Sequence, residues 1–378
     1  MKKISKLEEL IVEERFREST EEISLDMHHS AAITYFLDPS SMLQFERRDA
    51  LTISALAQSM QSESKEYASM SYDDQQSILE NVSDFNLAYA EVLKRESVEE
   101  DIPTESVKML LQNAKSAAEK GLSEFRSDKF AEDILEAQIS LANIYQESSD
   151  LDNATSEFQE AITFAKQKFF ESPTEVWENY FVTASTQFST LLKTEGNIEA
   201  AIQQLNHSGF VIGTKGQKVE DTDMIKRGYQ LLTDAERISD NTKPNYQFAE
   251  ITQRKVRFAS TLTLLTRNQK WSKEWYNNAK KVASIYQKLD DFKSATFNHH
   301  SAAKAALWNY QLTNQQNWIK KARRKCVNAL KSLNYTANTR DTENMQQEIR
   351  YTLAITAGKM YSIRKPQQGR VSRRREYL

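Results

Sequence analysis

From Asn245 to Ala357 the chain contains neither glycine nor proline, and the whole sequence of 378 residues holds only 8 Gly and 5 Pro. Strand-rich folds need turn-forming residues every few positions, because tight turns demand backbone conformations that Gly and Pro supply. A stretch this long without them can only be built from long helices joined by short polar turns. The 27 % charged content fits helices that each keep one face in water. The fold class expected is therefore all-α.

Apolar positions recur at helical spacing along the chain. In the N-terminal part, Met42, Phe45, Leu51, Ile53, Leu56 and Met60 mark one helix, and Ile78, Leu79, Val82, Phe85 and Leu93 another. Three later segments share a finer pattern. Leu141, Ala142, Tyr145, Ala154, Phe158 and Ala161 form the first, with Ser148-Ser149-Asp150 as its polar turn. Phe188, Ser189, Leu192, Ala201, Leu205 and Ser208 form the second, around Glu195-Gly196-Asn197. Val282, Ala283, Tyr286, Ala295, His299 and Ala302 form the third, around Asp290-Asp291-Phe292.

These three units, roughly 135–168, 182–215 and 276–309, resemble the tetratricopeptide repeat family. The resemblance implies a right-handed helical-hairpin solenoid, since one such repeat cannot bury its apolar face without neighbours. Leu141 and Phe188 are 47 residues apart, and Phe188 and Val282 are 94 apart. The family period is ~34, so the repeats here are expected to be elongated and irregular. The organisation expected is an acidic helical region over 1–125, the repeat region over 126–335, a C-terminal helix over 336–363 and a basic, disordered tail over 364–378.

Asn206 to Gln217 holds three of the eight glycines. It reads as a long inter-helix loop, with a binding loop as the alternative. Its Gly-x-x-Gly-Lys order lacks the residues and context of a phosphate loop.

The sequence carries few signs of catalysis. The histidines are His28, His29, His207, His299 and His300. Neighbouring histidines on a helix point about 100° apart, so neither pair can chelate one metal as an i, i+4 pair does. Cys326 is the single cysteine, which excludes an internal disulfide and fits a reducing compartment. No His-Glu-x-x-His, cysteine pair or Gly-x-Ser-x-Gly motif is present. The chain is expected to be non-enzymatic, without cofactor or metal. No run of apolar residues approaches the ~18 of a membrane span, and a cytoplasmic location is expected.

What the repeat resemblance implies about function is a scaffold or adaptor that binds a protein or peptide on the concave face. Carried over by position, the peptide-binding residues are Asn143, Gln146 and Glu147 in the first repeat. In the third they are Lys280, Ser284, Gln287 and Lys288. Charge supplies an alternative. Residues 1–100 hold 10 Lys/Arg and 21 Asp/Glu, whereas residues 301–378 hold 16 Lys/Arg and 4 Asp/Glu. Lys320, Lys321, Arg323, Arg324 and Lys325 lie together on a helical stretch, and Arg370, Arg373, Arg374 and Arg375 follow in the tail. Such a cluster suits an anionic partner, including nucleic acid, with Trp308, Tyr310, Trp318 and Tyr335 near enough to stack on bases. The opposite signs of the two ends also suit self-association.

Overall fold

The computed structural model describes residues 65–96, 104–239, 245–337 and 339–375. The segment 1–64, with His28, His29 and the helix expected over 42–60, lies outside the described residues. So do the side chains of Arg370, Arg373, Arg374 and Arg375.

Every regular element among the described residues is a helix. In chain order they are α1 Lys65–Ala68, α2 Tyr72–Glu96, α3 Thr104–Phe125, α4 Asp128–Glu147, α5 Leu151–Glu171 and α6 Glu175–Thr194. Then come α7 Ile198–Val219, α8 Thr222–Ile238, α9 Tyr246–Thr266, α10 Gln269–Lys288, α11 Phe292–Thr313, α12 Gln316–Leu333 and α13 Arg340–Arg375. The chain divides into two compact units, Met1–Phe188 and Ser189–Leu378, so that the division falls inside α6.

The cadence of the helices is 47 residues. Helices α8, α10 and α12 begin at Thr222, Gln269 and Gln316, each 47 residues after the last. The turns explain why. Ser149, Gly196 and Asp290 are left-handed, at φ 60, 82 and 57, and stand 47 and 94 residues apart. Each is followed by an Asp or Asn that caps the next helix, Asp150, Asn197 and Asp291. Their side-chain oxygens accept from the amides of Asn153, Ala200 and Ser294. Their own amides donate back to the carbonyls of Tyr145, Leu192 and Tyr286 at 2.8, 2.8 and 2.9 Å, which closes the preceding helix as a left-handed C-cap does. A second set of left-handed residues, Glu220, Arg267 and Asn314, recurs at the same interval.

Each unit is built by packing a helix on the next one and on the next but one. In unit 1, α2 to α5 pack in succession. One core cluster joins Ile78, Leu79, Val82 and Phe85 to Phe130 and Ile134. Another joins Leu93, Leu110, Leu111 and Ala114 to Leu141 and Ile144. Phe158 meets Phe188 with ring centroids 6.0 Å apart. In unit 2, α7 to α13 pack in succession. Of the repeat positions, Leu141, Ala142, Ala154, Phe158, Ala161, Phe188, Ala201, Leu205, Val282, Ala283, Ala295 and Ala302 are buried, whereas Tyr145 and Tyr286 are half-buried.

Alternate helices of unit 2 are tied at a matching offset. Tyr229 donates to Glu274 Oε2 at 2.9 Å, Lys281 bonds Glu236 Oε1 at 2.7 Å, and Gln287 Nε2 donates to Ser332 Oγ at 3.1 Å. Each pair is 45 residues apart. Glu236 also takes Lys255 at 2.5 Å, with both side chains largely buried. Burial alone would raise the Glu236 pKa, but the hydrogen bonds from Lys255 and Lys281 outweigh it and hold it below the usual carboxylate range.

The glycine-rich stretch is not a loop. Asn206 to Gln217 lies inside α7. Gly209, Gly213 and Gly216 fall on one face of that helix, against α8 and α9. A Cβ on Gly213 would sit 2.3 Å from the Phe258 ring, and one on Gly209 would sit 2.8 Å from the carbonyl oxygen of Gly228. The glycines let backbones approach where any side chain would hold them apart. A binding loop at this place is excluded, because the segment is buried helix.

The last helix also differs from expectation. It is continuous to Arg375, through most of the stretch 364–378 that its composition marks as a disordered tail.

Candidate functional site

A concavity lies in unit 1, lined by α3, α4 and α5. Its volume is about 630 Å3. Leu122 of α3, Ile134 of α4 and Phe164 of α5 give it an apolar floor that continues into the core beneath. Glu119, Gln138, Gln159, Glu160, Thr163 and Gln167 give it polar walls. Lys115 fixes the rim by bonding Glu157 at 2.9 Å and Glu160 at 3.1 Å. Gln138 donates from Nε2 to Glu160 Oε2 at 3.1 Å, while its buried Oε1 accepts nothing.

A mostly apolar floor with a few oriented polar groups is the ordinary chemistry of a binding cleft. The two lining hydroxyls are both tied to their own helices. Ser123 Oγ donates to the Lys120 carbonyl and Thr163 Oγ1 to that of Gln159, each at 2.8 Å. Neither is set beside a base as a nucleophile must be.

The residues assigned from the repeat resemblance lie elsewhere. Asn143, Gln146 and Glu147 are on α4 beyond Gln138 and do not line this cleft. Glu147 is ion-paired with Lys94 at 3.0 Å. Lys280, Ser284, Gln287 and Lys288 are on α10, in the other compact unit. All four are exposed, and Gln287 is held by Ser332. The structure thus sets the two groups on separate units.

The basic residues of α12 form the second site. Lys320, Arg323 and Arg324 are exposed. Lys321 lies over the Trp318 ring, 3.9 Å from its centroid. Trp318 itself packs edge-on against Tyr276 at 5.3 Å and is only 8 % exposed. That burial removes it from stacking on a base. Trp308 and Tyr310 are half-buried. Tyr335 is exposed but stacks on Phe292 at 4.9 Å. None of the five basic residues forms an ion pair among the described residues. Lys325 is the exception in depth, being only 5 % exposed. Burial, and then the charges of Lys280 and Arg324, pull its pKa down to about 8.

Other polar groups of unit 2 are interior. Cys326 is buried, which pushes its thiol up to about 11, away from the thiolate a reactive cysteine needs. His300 Nε2 pairs with Thr352 Oγ1 at 2.9 Å. Thr352 spends its own hydrogen on the Glu348 carbonyl, so the imidazole carries the proton at Nε2. Among the described residues, no group of three His, Cys, Asp or Glu could hold a metal ion. No described helix is long and apolar enough to cross a membrane.

No protein-family model matches the chain, and no curated protein matches it. Several solved structures are similar in part. The nuclear import adaptor Nro1 of S. pombe shares 13 % identity over 71 % of this chain and 99 % of its own, at a TM-score of 0.28. BtubC from P. vanneervenii shares 12 % over 70 % and 93 %, at 0.30. A circular tandem repeat protein shares 12 % over 97 % and 91 %, at 0.34. Likeness at this level fixes neither a family nor a function.

Proposed function

We propose that the chain is a non-enzymatic, cytoplasmic scaffold that holds a segment of a partner protein. The observation that carries this reading is the unit 1 cleft, with its apolar floor of Leu122, Ile134 and Phe164 between polar walls. Glu119 favours a partner segment with a positive or donor-rich side. The α4 residues Asn143, Gln146 and Glu147, and the α10 residues Lys280, Ser284, Gln287 and Lys288, are further contact candidates.

Selection of a random peptide library on the full chain tests the reading. Thr163 is exposed at the cleft, so Thr163→Trp fills the space without disturbing the core. Selected peptides are expected to lose about tenfold or more in affinity for this variant, as for a blocked anchor pocket. If Thr163→Trp binds them unchanged while Asn143→Ala or Lys280→Ala does not, the partner lies on the faces inferred from the repeat positions instead.

A second reading rests on the unpaired cations of α12. Lys320, Lys321, Arg323, Arg324 and Lys325, with Arg370, Arg373, Arg374 and Arg375 beyond them, would bind a polyanion such as nucleic acid. The basic portion could equally take the acidic N-terminal portion of a second copy. Nucleic-acid binding of this kind falls steeply with salt, whereas binding in the cleft changes little.

A further inference from the structure

Helices α10 and α12 lie side by side, and the Gln287–Ser332 hydrogen bond fixes their register at an offset of 45 residues. Two helical turns earlier the same register sets Lys280 beside Lys325. On the neighbouring seam, between α8 and α10, this offset brings complementary groups together, Tyr229 with Glu274 and Lys281 with Glu236. On this seam it brings two ammonium groups together, with the Arg324 guanidinium next to them. The lowering of the Lys325 pKa, by burial first and then by the charges of Lys280 and Arg324, agrees with that closeness.

Lys325 is 5 % exposed and no carboxylate answers it among the described residues. Behind it on α11, His299 is 3 % exposed, and neither ring nitrogen finds a partner. Burial, and then the Lys325 charge, keep this imidazole neutral, with a pKa of about 4. An ammonium on a buried stem with no carboxylate to answer it, beside a buried imidazole with two unpartnered nitrogens, is costly to hold in a folded chain. A bound anion removes both costs at once, by pairing the charge and accepting from the ring N–H.

We propose that Lys325, with Lys280 and Arg324 at its mouth and His299 behind it, binds a phosphomonoester group. Three cations without an acid call for more than one negative charge, which a phosphomonoester carries at neutral pH and a carboxylate does not. The depth of Lys325 selects for a group that protrudes. A terminal phosphate reaches it, whereas the diester backbone of a nucleic acid is held off by its flanking sugars. The site belongs to unit 2 and is independent of the unit 1 cleft.

Thermal melting and calorimetric titration of the full chain test this. The probes are inorganic phosphate, phosphoserine, serine, and chloride at matched ionic strength. Phosphate and phosphoserine are expected to raise the melting temperature with saturation, and serine and chloride are not. Lys325→Met removes the unpaired charge while keeping the stem. This variant is expected to melt above the wild type in phosphate-free buffer and to lose the phosphate response. Lys280 is exposed, so Lys280→Gln keeps the fold whatever Lys325→Met does. It is expected to weaken phosphoserine about tenfold, the scale of one charge-assisted hydrogen bond.

A wild-type response to phosphate no larger than that to chloride overturns the proposal. So does an equal phosphate response in Lys325→Met, or unchanged phosphoserine affinity in Lys280→Gln. A single-stranded oligonucleotide without a terminal phosphate that displaces phosphoserine overturns the monoester assignment and favours the nucleic-acid reading.

Discussion

Gly228→Ala is expected to cost about 3 kcal/mol or more, at the upper end for overpacking. The added Cβ would meet the Gly209 carbonyl oxygen at 2.6 Å, the Gly213 nitrogen at 2.6 Å and the Gly213 Cα at 2.7 Å. All three are backbone atoms of α7, so no side chain can swing aside. The two helices must separate along their whole contact, and Leu231 and Leu232 lose their fit against α7. Gly358→Ala is the matched control. It lies within α13 with open space around it, where replacing a helical glycine stabilises by roughly 0.5–1 kcal/mol. Denaturant unfolding of the two variants measures the contrast directly. A Gly228→Ala protein as stable as the wild type would mean that α7 and α8 do not cross there.

Unit 2 is expected to lose stability steeply between pH 6.5 and pH 4. His299 and His300 are both buried, and both have pKa values lowered from 6.5 to about 4. Burial is the main cause for each; Lys325 adds to it for His299, and Lys304 for His300. A base whose folded pKa is depressed gains protons first in the unfolded chain. The folded state therefore keeps its full advantage above the unfolded pKa and loses it as the pH falls toward the folded one. The size is about 3 kcal/mol for each imidazole at pH 4. His299→Gln and His300→Gln are each expected to flatten this limb by a comparable amount in a urea-unfolding series from pH 7.5 to 4. A limb unchanged in both variants would show that the imidazoles titrate normally.

The repeat positions were legible because large and small apolar residues alternate there at helical spacing, and the turns carry their own signal. Ser149-Asp150, Gly196-Asn197 and Asp290-Asp291 each pair a residue that tolerates the left-handed region with a helix cap. That local chemistry sets the 47-residue cadence without reference to tertiary contacts. The glycines of α7 misled for a physical reason. Glycine is punctuation in most contexts, and in a chain this poor in it a cluster reads as a loop. Yet Gly209, Gly213 and Gly216 are spaced four and three apart, which puts them on one helix face. The partners explain why that face has no side chains: Gly228 of α8 against Gly209, the Phe258 ring of α9 against Gly213, and Met224 and Ile225 of α8 against Gly216.

The cleft of unit 1 left no comparable trace. Gln159, Thr163 and Gln167 form a polar stripe along α5 that looks like any solvated helix face. What makes it a wall is that α3 and α4 line the same concavity, which is a tertiary fact. The opposition of Lys280 and Lys325 is of the same kind. Both lysines stood out in the sequence, one by its repeat position and one within a basic run, but their meeting follows from the register of α10 on α12.

Amide hydrogen exchange along the full chain tests the 47-residue helical architecture most directly. Protection is expected to run unbroken from Ile202 through Val219, across all three glycines of α7. Fast exchange is expected at the first residues of the helices that follow the turns, at 198–199, 222, 269, 292–293 and 316–317, whose amides have no carbonyl one turn back to bond. Rapid exchange throughout 206–217, with protection resuming only in α8, would contradict the account. It would return that segment to a loop and undo the seams built upon it.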